Sequence, residues 1–171
     1  MKSFTAPQWS KLLTSLIASY LAGFVGSLFM TPESMAWYAT LYKPFFSPPS
    51  WVFGPVWMIL YACIGVALYR LWSIRSREGK IARSILWIHL VFNASWTALF
   101  FGYGLMWWAL ACLALLFVMI FLVIIDARKF DITTAWLLVP YVLWLAFAFA
   151  LNLSAALNNP YIEGVTQIFP R

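Results

Sequence analysis

What this sequence has least of is charge. Only 9% of its 171 residues are charged, against 64% hydrophobic, with a mean hydropathy of +0.86. A water-soluble domain of this length must cover its outside with polar groups, and too few are present to do that. Acid is scarcest: there are five Asp and Glu residues, none midway along an apolar run. That removes the usual proton relay or ion-coupling site of a membrane pump. One histidine cannot make a histidine cluster. The two cysteines, Cys63 and Cys112, lack metal-ligand spacing and read as small hydrophobes rather than a disulfide framework. There is no phosphate-binding loop and no dinucleotide fingerprint. No catalytic or metal constellation is expected, and no cofactor is required.

What is abundant is apolar length. A hydrocarbon core about 30 Å thick needs about 20 mostly apolar residues in a helix. Five stretches meet that need: 12–30, 51–73, 84–101, 105–125 and 134–157. They predict an all-α, polytopic membrane protein, a bundle of five transmembrane helices forming one domain over 1–171. Pro140 is expected to interrupt the fifth span. The tail, 158–171, contains Pro160, Gly164 and Pro170 and is expected to be loose. The first span resembles a signal peptide in its Lys2 and Lys11, but it is too long and lacks a convincing cleavage site, so it reads as retained.

The net charge of +6 is distributed by side. Alternating the spans puts Lys2, Lys11, Arg70, Arg75, Arg77, Lys80, Arg83, Arg128 and Lys129 on one face of the membrane, and Lys43 and Arg171 on the other. The positive-inside rule makes the first face cytoplasmic, with the N-terminus there and the C-terminus opposite. Orientation explains the basic excess, possible contact with anionic lipid included, and nucleic acid is not an expected partner. In the fourth connection Asp126, Arg128, Lys129 and Asp131 mix both signs and read as solvated.

The first loop, 31–50, holds Pro32, Pro44, Pro48 and Pro49 together with Trp37, Tyr38, Tyr42, Phe45 and Phe46. The prolines stiffen it. Its aromatics fit either an interfacial belt or a lid over a cavity. Small residues recur at Ala18, Ala22 and Gly26, at Ser15, Ser19, Gly23 and Ser27, and at Ala94, Ala98 and Gly102. Such stripes permit close helix approach, within the chain or in a homodimer.

The chain has 11 tryptophans. Trp9, Trp72, Trp87, Trp107 and Trp108 lie near span ends and suit the interface. Others share faces with polar groups. The second span repeats Phe53, Trp57 and Tyr61 every four residues. The third places His89, Asn93, Trp96 and Phe100 along one face, and the fifth Trp136, Pro140, Trp144, Ala148 and Asn152 along a drifting stripe. Polar groups in hydrocarbon need partners and turn inward. Three helices can thus converge on an aromatic cavity with polar handles, or satisfy one another in a packed bundle. His89 is open to two readings, a ligand to haem iron or a partner of a neighbouring side chain.

Several segments resemble the translocator protein family (TspO/MBR), also called tryptophan-rich sensory proteins or peripheral-type benzodiazepine receptors. They are Trp37-Tyr38, Lys43-Pro44, the run Pro48-Pro49-Ser50-Trp51-Val52-Phe53-Gly54-Pro55-Val56-Trp57, Asn93 through Gly102, and Trp136 through Asn152. The resemblance implies a five-helix receptor whose intramembrane pocket, capped by the first loop, takes porphyrins (protoporphyrin IX, haem) and aromatic drug-like molecules. The pocket residues carried over are Tyr38, Pro48, Phe53, Trp57, Asn93, Trp144 and Ala148, with Lys43 placed to meet a propionate or to snorkel. It also implies alternatives: a light- and oxygen-dependent porphyrin-degrading enzyme using Trp57 or Trp144, or a porphyrin transporter. Mammalian members carry a cholesterol motif with Tyr and Arg where this chain has Leu153, Leu157 and then Asn158, so a bacterial-type member is expected.

Overall fold

The computed structural model describes residues 8–160. Five long helices form the bundle: α1 (Trp9–Ser27), α3 (Phe53–Trp72), α4 (Arg77–Thr97), α5 (Met106–Phe130) and α6 (Ile132–Asn158). A shorter helix, α2 (Pro32–Thr40), lies in the first connection. The chain is an all-α polytopic membrane protein. With their flanking turns, four helices are long and apolar enough to cross a membrane alone, at Ser50–Trp72, Arg77–Gly102, Met106–Phe130 and Ile132–Asn158. A fifth span is counted if α1 and α2, which meet the same test together across a 72° bend, are taken as one.

Neighbouring helices close a ring in the order α1, α3, α6, α5, α4 and back to α1, with α3 also touching α4 across the middle. The small residues explain the closest approaches. Ser15, Ser19, Ala22 and Gly26 are all buried along α1. A Cβ on Gly26 would sit 3.0 Å from Thr97 Oγ1 on α4, and one on Gly65 of α3 would sit 3.0 Å from Leu16 Cα on α1. This half of the small-residue pattern therefore packs within the chain.

Three details differ from the sequence reading. The first loop is not loop throughout, because Thr31 caps α2 by accepting from Ser34 N–H at 3.2 Å, Pro32 opens the helix and Glu33 sits in its first turn. Pro140 does not interrupt α6, which runs unbroken through it. One missing N–H is tolerated when the rest of the ladder and the neighbouring helices remain. Between α4 and α5 the chain makes a π-helical turn, Ala98–Gly102, and Gly104 then takes φ 65°, where glycine is favoured. The fourth connection is one residue, and that residue, Asp131, is not solvated. Arg70 donates to both of its carboxylate oxygens at 2.8 and 2.7 Å, and Thr134 donates to it at 2.6 Å. Asp126 and Lys129 pair with each other at 2.8 Å on the outside of α5. Lys11 over the Trp72 ring confirms that the start of α1 and the end of α3 share one end of the bundle, the basic end. Most of the tail, 161–171, lies outside the described residues, as do Lys2 and Arg171.

Candidate functional site: an aromatic chamber beneath the first loop

The end of the bundle opposite the basic one holds two adjoining cavities. The larger, about 280 Å³, lies among α1, α2, α3 and α4 and is lined by Gly23, Ser27, Met30, Met35, Tyr38, Ser50, Phe53, Gly54, Trp57, Tyr61, Trp96, Thr97 and Phe101. The smaller, about 50 Å³, lies towards α6 and is lined among others by Leu41, Lys43, Pro44, Ala148, Leu151 and Asn152. Tyr38, Phe53, Trp96 and Phe101 line both, so they form the partition.

Phe53, Trp57 and Tyr61 share a face of α3, as their spacing requires. Trp57 stacks on Tyr61 at 5.2 Å and meets Trp144 edge-on at 6.4 Å. Trp144 also meets Phe53 edge-on at 5.8 Å, but its other side lines an outward groove beside Pro140 and Leu143. It stands behind the chamber wall. From α4, Trp96 stacks on Phe100 at 5.7 Å, and its indole N–H donates to Asn152 Oδ1 at 3.3 Å. Asn152 in turn donates to the Met106 carbonyl at 2.9 Å. These bonds fix the Trp96 ring in the partition.

Asn93 is buried below the chamber. It accepts from the Tyr61 hydroxyl at 2.7 Å and donates to the Tyr141 hydroxyl at 2.9 Å. Tyr141 Oη lies 3.3 Å from His89 Nε2. Tyr141 accepts from Asn93, and which of Tyr141 and His89 donates to the other follows the tautomer of the imidazole. The series joins α3, α4 and α6, and His89 is fully buried with its ring edge-on to Tyr141 at 5.3 Å.

The lid closes over the chamber on three sides. Trp37 of α2 is buried against Phe100 at 5.8 Å. The Tyr42 N–H donates to Asn159 Oδ1 at 2.9 Å, and Asn159 Nδ2 donates back to the Tyr42 carbonyl at 3.2 Å. Phe46 meets Phe147 of α6 at 6.3 Å. Lys43 does not reach outward: its Nζ sits 4.6 Å over the Tyr38 ring and donates to the Ala39 and Leu41 carbonyls at the end of α2.

Of the seven residues expected at the pocket, the structure brings Tyr38, Phe53 and Trp57 to the larger cavity and Ala148 to the smaller. Asn93 and Trp144 stand one layer behind, and Pro48 is half-buried in the lid without lining either cavity. Trp136 and Pro140 face outward. Sequence reasoning passed over Tyr141, although Thr134, Tyr141, Ala148 and Ala155 recur every seven residues and share the inward face of α6. Asn159 and its hold on Tyr42 left no periodic signal.

An all-α bundle of membrane-crossing helices, with an aromatic chamber beneath its first loop, defines a polytopic membrane protein. The sequence profile of the TspO/MBR family matches residues 15–157, and the chain belongs to that family. It is 36% identical over 149 residues to the tryptophan-rich protein TspO of Archaeoglobus fulgidus, covering 87% of this chain and 97% of the relative. The human translocator protein is 35% identical over 159 residues, covering 86% and 89%. The tryptophan-rich sensory protein of Cereibacter sphaeroides is 31% identical over 151 residues, covering 88% and 92%.

Proposed function

We propose that this protein is an integral membrane receptor or sensor that binds porphyrins, such as protoporphyrin IX or haem, and flat aromatic drug-like molecules in the chamber beneath α2. In this reading occupancy influences tetrapyrrole handling or stress signalling, in keeping with the sensory name of one relative. The observation that carries it is the chamber's wall: Tyr38, Phe53, Trp57, Trp96 and Phe101 present ring surfaces to one space about 280 Å³ in volume. That is near the lower end of small-molecule sites, about 300–1,000 Å³. A drug-sized ring system fits the larger cavity, and a macrocycle requires the Tyr38–Phe101 partition, 5.3 Å between rings, to move aside. Trp57 stacks on the ligand, Trp144 backs the wall, Asn93 holds Tyr61 in place, and Lys43 meets a carboxylate from the smaller cavity.

The test is a titration of purified protein with protoporphyrin IX, following quenching of tryptophan fluorescence. Saturable binding that weakens at least tenfold in Trp57→Ala, with helical content unchanged, supports the reading. Absence of saturable binding by the unaltered protein overturns it. A second reading, light- and oxygen-dependent degradation of bound porphyrin, is favoured by the Trp57–Tyr61 stack, an electron-rich pair at the chamber wall. It requires a new absorbing product on illumination that Trp57→Phe loses while binding persists; porphyrin recovered unchanged rejects it. The basic end is assigned to the cytoplasm on its charge, and labelling of a cysteine introduced at Ser76 from the cytoplasmic side alone is the expected result.

A further inference from the structure

We infer that the chamber is reached sideways from the membrane, through a gap between α1 and α3, and not through the lid. The inference rests on the reading of the chamber as a ligand site and adds how that ligand arrives and what kind of molecule it is. The rim of the larger cavity is formed by Ser27 and Met30 at the end of α1 and by Ser50 and Gly54 at the start of α3, all four exposed. A Cβ built on Gly54 meets nothing within 4 Å, so this rim borders open space.

Below the gap the same two helices are shut. A Cβ on Gly23 would run into the Tyr61 ring, Ser19 donates to the Tyr61 carbonyl at 2.7 Å, and Tyr20 donates to the Met58 carbonyl at 2.9 Å. Above it the lid is held by Trp37, by both backbone groups of Tyr42 and by Phe46. The opening is therefore local to about one turn of each helix.

Its depth says what passes. Trp51 is 75% exposed and Phe45 fully exposed, the placement of aromatics at the headgroup level. Gly54 follows Trp51 by about one turn, which sets the gap just beneath the headgroups, at the edge of the hydrocarbon. Molecules concentrated there have a flat apolar body and a polar or anionic rim. A water-soluble ligand would have to lift the lid; an interfacial one slides in edge-first against Phe53 and Trp57.

The gap can be tested without any ligand. In a Cys63→Ala, Cys112→Ser background, Thr97→Cys places a thiol on the chamber wall, and pyrene maleimide dissolved in phosphatidylcholine vesicles supplies a label from the lipid. Gly54→Phe is expected to slow labelling at least tenfold, and Met30→Trp to do so from the opposite rim should the first variant fold poorly. Asn159→Ala, which releases Tyr42 of the lid, is expected to leave the rate within twofold. Labelling unaffected by both rim substitutions, or raised tenfold by Asn159→Ala, overturns the lateral route. In the same vesicles Gly54→Phe is expected to slow association and dissociation of protoporphyrin IX together. If the rim substitutions slow labelling but the unaltered protein binds no porphyrin, the gap stands and the ligand assignment falls.

Discussion

The two ends of this bundle are built from different side chains, and they pack differently. Towards the basic end, Ile64, Leu68 and Leu71 of α3 interlock with Leu86 of α4, Leu116 and Ile120 of α5, and Leu138 of α6, all with no exposed surface. None of these seven lines either chamber cavity. Branched aliphatic chains have enough rotamers to fill one another's gaps to crystal-like density. Towards the first loop, rings meet edge-on beside Gly, Ser and Ala, and rigid plates against small residues leave space. Hydrogen bonds from Asn93, Trp96 and Asn152 then hold those plates apart rather than letting them collapse. One end sets stability, the other keeps a cavity.

The comparison breaks most visibly in the aliphatic end. Leu68→Ala is expected to cost about 2–5 kcal/mol, because a close-packed site relaxes little around the lost atoms. Met35→Ala, on the chamber wall, is expected to cost about 1 kcal/mol or less, since part of its surface already faces empty space. Equilibrium unfolding in micelles under a denaturing detergent measures both. Equal losses would mean the chamber end is as tightly filled as the other. Gly65→Ala comes next at about 1–3 kcal/mol, its new Cβ meeting backbone atoms of Leu16 and Ser15 that only a shift of α1 can clear.

The chamber end was the part most legible in the sequence, and for a physical reason. Phe53, Trp57 and Tyr61, or Asn93, Trp96 and Phe100, announce an inward face because tyrosine, tryptophan and asparagine need partners in lipid. Local chemistry wrote that signal. The α6 face was misread because it was seeded on Trp136, and a tryptophan near a helix end suits the interface as well as a pocket. The α2 helix was passed over because four prolines argued loop, while Thr31, Pro32 and Glu33 spelled a helix start. Contacts between residues far apart in sequence, Arg70 with Asp131 or Tyr42 with Asn159, obey no period and become visible only once the helices are placed.

Asn93 separates holding the cavity open from merely filling the core. Asn93→Leu leaves the Tyr61 hydroxyl without its acceptor and takes a donor from Tyr141, at about 1–2 kcal/mol given how modest interhelical bonds are in lipid. Its effect on ligand is expected to exceed its effect on stability: with Tyr61 free to turn, the Trp57 stack loosens, and porphyrin affinity falls at least tenfold. Affinity within twofold of the unaltered protein would remove Asn93 from the site.

At the basic end the Arg70–Asp131 ion pair gives a smaller, pH-dependent effect. Burial pushes the Asp131 carboxyl up, but hydrogen bonds from Arg70 and Thr134 and the Arg70 charge outweigh it, and its pKa lies below the ordinary 3.8. A lowered folded-state pKa means the contribution is complete above the unfolded value and is lost as pH falls through the folded one. Stability should therefore hold at neutral pH and decline below about pH 4. Asp131→Asn is expected to cost about 1 kcal/mol at pH 7 and to flatten that acid limb. An unchanged limb would assign the decline to another carboxylate.

The smallest effect compares two glycines of one helix. Gly65 is wedged against α1, whereas Gly54 faces open space, and both have ordinary helical backbone. In Gly54→Ala the added methyl meets no neighbouring helix, and the lower conformational freedom of the unfolded chain is set against the strain that Pro55 puts on a helical non-glycine residue before it, a net change of about 0.5 kcal/mol or less. The same substitution at Gly65 should cost clearly more, about 1–3 kcal/mol. If both were to cost the same, the start of α3 would have to be closed against α1 in the membrane, and the chamber would have no side opening. A near-neutral change at Gly54 beside a loss at Gly65 places the loosening of the α1–α3 contact between those two positions, at the height of Trp57.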